Sequence, residues 1–389
     1  MKIREGRFFP FLLLFFVGCQ SPDIPKDTAI LLVENSPRTP DPLWATDAIS
    51  QNLHNLTHSA LISIGADMKP QPELAESWTI KAYRKFHFRL RANLKFEDGS
   101  TLTAGDVHNS ISAFADSSAG APHADIFAHI REIRVLNDRE IEFSTDTVAP
   151  YLLWDLTSMK IFKKQGDRII GAGRFRANEF NSQIARLERN PFFYESPKLG
   201  AIQKIIVRVV REDITRYQLF RRGDANAAFN SLALTTTAAL KRDLPRDLKV
   251  FEAPGVNIGY LAMNFRNPKL ADIRVRRAIA HALNIDEILK FRLEGMCYRA
   301  TGLLGPIHGD YDAQTRRYDY DTGAAEKLLD EAGFHKNADG VRFSLEFKTT
   351  GDKSALDFAR ILSESLRKIG IRLTIRTSEF GTFYSDIKQ

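Results

Sequence analysis

Cysteine is nearly absent: the 389-residue chain has two, Cys19 and Cys297. They form no C-x-x-C pair and no Cys/His cluster with zinc spacing, which excludes a small domain built around a structural metal. No apolar run reaches the roughly 20 residues that a membrane-spanning helix needs. The motifs G-x-S-x-G, H-E-x-x-H and the P-loop are all missing, so the common local signatures of hydrolases, zinc proteases and nucleotide-binding loops are excluded. Carboxylates are plentiful, but no pair has an evident acid/base role. No segment is charged with one sign only. The formal net charge is +7, yet Asp and Glu interleave with Lys and Arg along the chain, so there is no basic tail of the kind that grips nucleic acid. No internal repeat and no low-complexity tract is present.

What is present begins with a targeting pattern. Lys2, Arg4 and Arg7 precede an apolar run of ten from Phe8 to Val17, too short to span a membrane and suited to a signal-peptide core. Gly18 then precedes Cys19, an arrangement that resembles a bacterial lipobox, in which the cysteine is acylated and becomes the mature N-terminus. On that reading Cys297 is the one remaining thiol, expected as a buried apolar group. Residues 20–26 form a polar tether with two prolines.

The body of the chain alternates strand and helix patterns. Residues 28–36 read as a buried strand. Residues 50–62 carry Leu53, Leu56, Ala60 and Leu61 at helical spacing. His54 and His58 fall four apart there, but no Glu follows His54 and no third ligand is visible, so the pair reads as part of a polar helix face rather than a metal site. Phe86, Phe88 and Leu90 alternate with His87, Arg89 and Arg91, the pattern of a half-buried strand. Leu94 and Phe96 suggest a second short strand before an Asp98-Gly99 turn. Thr103 and Asp106 form a capping box ahead of an apolar stripe of Val107, Ile111 and Phe114. A hairpin is expected around Asn137-Asp138, strands over 201–212 and 256–265, and a helix ending at Gly223. Further helices are expected over 273–283, 287–293 and 322–332, with a β-α-β unit from 341 to 378. "GAGRF" at 171–175 lacks the third glycine and the following helix of a dinucleotide fingerprint.

The segment "KLADIRVRRAIAHALNID" has the charge of a recognition helix. Its periodicity argues otherwise. Asp272 can cap it, and Val275, Ala278, Ile279, Ala282 and Leu283 form one apolar stripe opposite Arg274, Arg277 and His281. Without interleaved aromatics or a second basic helix it is a structural helix, and no nucleic-acid partner is expected.

Several segments, taken in order, resemble the family-5 extracellular solute-binding proteins, the oligopeptide-, dipeptide- and nickel-binding components of ABC importers. They are "PELAESW" (72–78), "FRLRANLKFEDGSTLTAGDV" (88–107), "GAGRF", "NPFFY" (190–194), "FRRGDANAAFN" (220–230), "MNFRNPKLADIRVRRAIAHALNIDEIL" and "YDYDTGAAEKLLDEAGF" (318–334). GAGRF lacks the Pro and Tyr of its counterpart in the family, and "ANAAFN" lacks an Asp often found there.

The resemblance implies an α/β, two-lobed fold of the type II periplasmic-binding-protein class, with the extra subdomain of the peptide-binding cluster. Residues 1–18 would be a lipoprotein signal peptide and 19–27 a tether. Residues 28–255 would form a first lobe, including an inserted subdomain at about 46–165, and 256–389 a second lobe that is incomplete, since the family continues past this point. Peptides or similar small solutes would be captured in a cleft between lobes, without catalysis, cofactor or metal, and passed to permease subunits in the membrane. The protein would sit in the periplasm or cell envelope, held through lipid on Cys19. By family position the resemblance implies ligand contacts at Trp44, Thr46 and Asn230, and at Asn257, Tyr260 and Asn264 on or beside a crossover strand. An envelope interaction or sensory protein that keeps the fold but no longer binds for transport is the competing reading. A hydrolase on this scaffold has no sequence feature in its favour.

Overall fold

The computed structural model describes residues 24–389 apart from 119, 196–199, 247, 380, 381, 384 and 387–389. The signal-peptide and Cys19 expectations lie outside the described residues. The described residues divide into two compact units, one running to 236 and taking in 243–248, the other of 237–242 with the residues from 249 onward.

The first unit holds a five-stranded mixed sheet and a four-stranded antiparallel sheet. In the antiparallel sheet, Lys85–Leu90 lies between Ala75–Lys81 and Glu140–Thr145, and Ile130–Asn137 closes the other side. The alternation in the sequence is realised fully: Phe86, Phe88 and Leu90 are all buried. Strict period-2 pleating sends them to one face. There they meet Phe96, Phe114, Phe127 and Phe143 in the largest apolar cluster of the molecule. The helix Ala104–Ala115 lays Val107, Ile111 and Phe114 on that cluster. Its first turn is held as expected. The Asp106 carboxylate accepts the Thr103 N–H at 2.8 Å and the Thr103 hydroxyl at 2.9 Å. The Asn137-Asp138 hairpin also forms.

Three local expectations differ. Leu94 and Phe96 are buried but make no second strand; a single bridge pairs Lys95 with Thr101, and Gly99 turns at φ 84. The helix expected over 50–62 is Ala48–Thr57, stopped at an extended His58, and Ile62–Ile64 is a short strand. Ala60 and Leu61 are buried as apolar residues should be, but beyond the end of the helix rather than on it. The helix expected over 287–293 is a short turn, Ile285–Glu287, running into a π turn, Ile288–Arg292.

The five-stranded sheet runs Phe175–Phe180, Ile184–Arg189, Lys204–Val209, Thr28–Val33, Ala227–Ala228. Val33, Leu187, Ile205 and Val207 pack one face; Leu32 packs the other beneath Leu219 and Phe220 of the helix Asp213–Arg222. That helix ends on Gly223 at φ 78, the left-handed cap that glycine takes without a Cβ penalty.

In the second unit, strands Phe343–Thr350 and Ile371–Ser378 pair in parallel, joined by the helix Lys353–Lys368, which is the β-α-β unit read from the sequence. Their core continues onto Val275, Ala278, Ile279 and Ala282 of the helix Ile273–Ala282, and onto Ala325 and Leu329 of Thr322–Glu331. Asp272 caps the former through the Arg274 N–H at 2.8 Å. Arg274 and His281, on its other side, reach backbone carbonyls of Glu331 and Asp319 at 2.6 and 2.7 Å. The basic residues of this segment therefore tie the unit together rather than stand ready for a phosphate backbone.

Candidate functional site

Three parallel strands define one edge of the five-stranded sheet. Thr28–Val33 pairs in parallel with both Lys204–Val209 and Ala227–Ala228. The chain leaving each strand therefore emerges on the same side, and the carboxyl ends of parallel strands are where open α/β sheets bind ligands. Residues 34–47 follow the first strand, 210–212 the second and 229–233 the third. Trp44 and Thr46 lie on the first of these connections and Asn230 on the third. All three are exposed, with Trp44 at 42%. An open depression of about 810 Å³ lies at this end of the sheet but toward the hairpin 179–184, lined among others by Ser36, Glu179, Gln183, Arg208 and Arg211; Trp44, Thr46 and Asn230 do not line it.

Arg216 organises the edge, a role the sequence reading missed. It is buried, and its guanidinium donates to the carbonyls of Val210 and Arg211 at 2.6 and 2.8 Å and of Ser231 at 2.6 Å. Asp213 completes the set, 3.2 Å from Arg216 and accepting the Ala233 N–H at 2.9 Å. One planar cation with a fixed fork of donors thus holds the ends of two strand connections together. Asn230 sits beside this clamp at φ 49, a left-handed conformation that Asn tolerates better than most residues. The only hint in the sequence was an arginine inside a helix with an otherwise apolar inner side.

The connection bearing Trp44 is held from below. Asp41 caps the turn Pro42–Trp44 through the Leu43 N–H at 3.0 Å. The helix Ala48–Thr57 supplies three further holds. The Ser50 hydroxyl accepts from the Arg38 N–H at 2.9 Å, the Gln51 amide donates to the Ala45 carbonyl at 3.3 Å, and His54 Nε2 meets the Thr39 carbonyl at 3.2 Å. His54 and His58 correct the expectation of a polar helix face. They are 3% and 5% exposed: residues 171–173, far away in sequence, cross the chain at Leu56–His58, while His54 lies against the Thr39 carbonyl and the His58 ring. A Cβ on Gly171 would stand 2.1 Å from the Thr57 carbonyl oxygen, and one on Gly173 2.3 Å from the Thr57 carbonyl carbon. The G-x-G is thus a close backbone crossing.

Nearby polar groups serve the scaffold. Glu73 is buried and accepts the Ala60 N–H at 3.2 Å; burial raises its carboxyl while Lys160 pulls the other way. Burial pushes Glu97 up to about 7 against the pull of Arg168 and Arg176. Among the described residues no group of three or more His, Cys, Asp and Glu is placed to hold a metal.

In the second unit the strand expected over 256–265 does not form. Leu261 and Met263 do pack on the core, alternating with exposed Tyr260, Ala262 and Asn264. The side-chain pattern of a strand is there without the ladder, because among the described residues no neighbouring strand offers its N–H and C=O groups to this segment. Asn257, Tyr260 and Asn264 are exposed, Tyr260 at 72%. The Asn264 side chain accepts the Arg266 N–H at 2.9 Å, a local turn that occupies one of its polar atoms. Cys297 is half-buried rather than buried, and burial raises its thiol. No helix among the described residues is long and apolar enough to cross a membrane.

Residues 69–389 match the family model described as bacterial extracellular solute-binding proteins, family 5 middle. A glutathione-binding protein, GsiB, of Escherichia coli strain K12 is 22% identical over 375 residues, covering 93% of this chain and 72% of GsiB. Among solved structures, NikA of Brucella suis in complex with Fe(III)-EDTA superposes with a TM-score of 0.78 at 22% identity, covering 92% of this chain and 76% of NikA. The oligopeptide-binding protein AppA of Bacillus subtilis, in complex with a nonapeptide, gives 0.73 at 22% identity, with coverages of 92% and 76%. These likenesses identify a mixed α/β fold resembling the two-lobed periplasmic-binding-protein superfamily.

Proposed function

The chain belongs to family 5 of the bacterial extracellular solute-binding proteins, and we propose that it captures a peptide or similar small solute by lobe closure and delivers it to the permease subunits of an ABC importer. Solute binding for an ABC importer, outside the cytoplasm, is the role of this family, whose members bind without catalysing a reaction. The observation that carries the finer reading is the set of connections leaving the parallel strands of the first unit, where Trp44, Thr46 and Asn230 are exposed, Asn230 beside the Arg216 clamp and Trp44 on a stretch held by Ser50, Gln51 and His54. A rigid platform with exposed side chains on it lets a ligand bind without first ordering the loops. Asn257, Tyr260 and Asn264 serve as contacts from the second unit. The glutathione and nonapeptide of the relatives favour a peptide-like solute, and the Fe(III)-EDTA of NikA widens the range to compact chelates. Cys19 is the proposed point of lipid attachment, which would keep the binding protein beside its permease.

Native mass spectrometry of the purified chain tests this directly. The expected spectrum contains a population heavier by the mass of a small solute, which disappears after partial unfolding and dialysis. A single unliganded mass that stays single after mixing with di- to pentapeptides contradicts the proposal.

A further inference from the structure

His54 and His58 stand out among the buried groups because each has one ring nitrogen with work to do and one without. Their ring centroids are 5.3 Å apart. The hydrogen bonds fix the tautomers. His54 Nε2 faces the Thr39 carbonyl, which can only accept, so Nε2 carries the proton and Nδ1 is a bare lone pair. The Thr57 hydroxyl donates to the Leu53 carbonyl at 3.1 Å, so it accepts from His58 Nδ1 at 2.9 Å, and His58 Nε2 is the bare one. Both bare nitrogens are buried and have no hydrogen-bond partner among the described residues.

Each packed element contributes charge or none. Lys160, on the connection before Phe162–Gln165, opposes a proton on either ring; Asp41 and Asp47 favour one on His54. Lys160 is itself faced by Glu73 and Arg174. Gly171 and Gly173 bring backbone only. A proton on either bare nitrogen would create a buried cation whose new N–H has no acceptor, and a second would place two such cations side by side. The same helix holds residues 38–45 through Ser50, Gln51 and His54, while from other elements His123 meets the Ala45 carbonyl at 3.3 Å and Lys164 pairs with Asp41 at 3.3 Å, offsetting the pull of Asp41 on His54.

We propose that the His54–His58 pair is an acid-sensitive latch: a proton at His58 Nε2 opens the packing of the end of the helix Ala48–Thr57 against residues 171–173, and one at His54 Nδ1 loosens its hold on Thr39 and releases residues 38–45, the stretch that carries Trp44. Burial holds His54 down to about 4 and His58 well below its usual range. A histidine depressed in the closed form binds its proton more readily once the site opens. The closed latch is therefore fully favoured above about pH 6.5 and weakens as pH falls toward about 4. Release is a property of the empty protein and is measured without ligand.

Hydrogen exchange read by mass spectrometry on the full chain, at pH 7.0 and pH 4.5 and corrected for intrinsic rates, is the test. Peptides covering 38–57 should lose protection by at least about tenfold at the lower pH, since one unit of depressed pKa is a factor of ten. Peptides covering Phe343–Thr350 should change by less than about twofold. The double variant H54Q/H58Q, whose amides can still donate but bind no proton, should abolish the difference. Unchanged protection at 38–57 overturns the latch, as does an equal loss in the double variant. Should that variant fail to fold, the wild-type imidazole C–H resonances decide: two histidines that stay neutral down to about pH 5 support the latch, and nine ordinary titrations near pH 6.5 overturn it.

Discussion

The strand Lys85–Leu90 and the segment 256–265 both send alternate side chains toward a core, Phe86, Phe88 and Leu90 in the first and Leu261 and Met263 in part of the second. One is hydrogen-bonded on both sides and buries Phe86, Phe88 and Leu90 completely. The other sends Leu261 and Met263 inward but forms no ladder among the described residues. Alternation therefore reports which side chains face a core. It does not report whether a neighbouring strand is available, which is a property of distant chain.

The difference can be broken by substitution, and the largest effect belongs to the laddered strand. Phe88→Ala removes a fully buried ring from the main cluster and should cost about 3–5 kcal/mol of the first unit's stability, read from the urea midpoint by circular dichroism. Gly173→Ala attacks the same unit through the backbone, since its new Cβ has no room beside Thr57 and His58. It should cost about 1–3 kcal/mol, against near neutrality for Gly200→Ala, where no atom lies within reach of a Cβ. Leu261→Ala, on a partly buried position without a ladder, should cost about 1 kcal/mol, and amides 256–265 should exchange far faster than those of 85–90. Tyr260→Ala should leave the urea midpoint within about 0.5 kcal/mol, because the ring is exposed, while weakening solute binding.

These contrasts also mark what the sequence could reveal. The buried face of Lys85–Leu90, the Thr103–Asp106 capping box, the Asp272 cap and the parallel β-α-β unit were legible because each depends on residues close in sequence. The burial of His54 and His58 was not, because spacing places two imidazoles on one face without saying what covers it, and the neighbours are residues 171–173 at His58 and the Thr39 carbonyl at His54. The Arg216 clamp was illegible for a related reason: its acceptors are backbone carbonyls, which every residue has. Of the candidate site, the exposed positions Trp44, Thr46 and Asn230 were named through family resemblance, while what makes their edge rigid emerged only from the fold. Asn257, Tyr260 and Asn264 were named as part of a strand that does not form.

Solute capture depends on the residues exposed where the chain leaves the parallel strands of the first unit, Trp44 first among them. Isothermal titration calorimetry of the stripped chain with mixed di- to pentapeptides, run beside Trp44→Ala, tests it most directly. The prediction is a saturable heat that weakens by at least about tenfold in Trp44→Ala, the loss expected on truncating a central aromatic contact, with an unchanged urea midpoint. No heat from the wild-type chain, or an identical titration from Trp44→Ala, would contradict it.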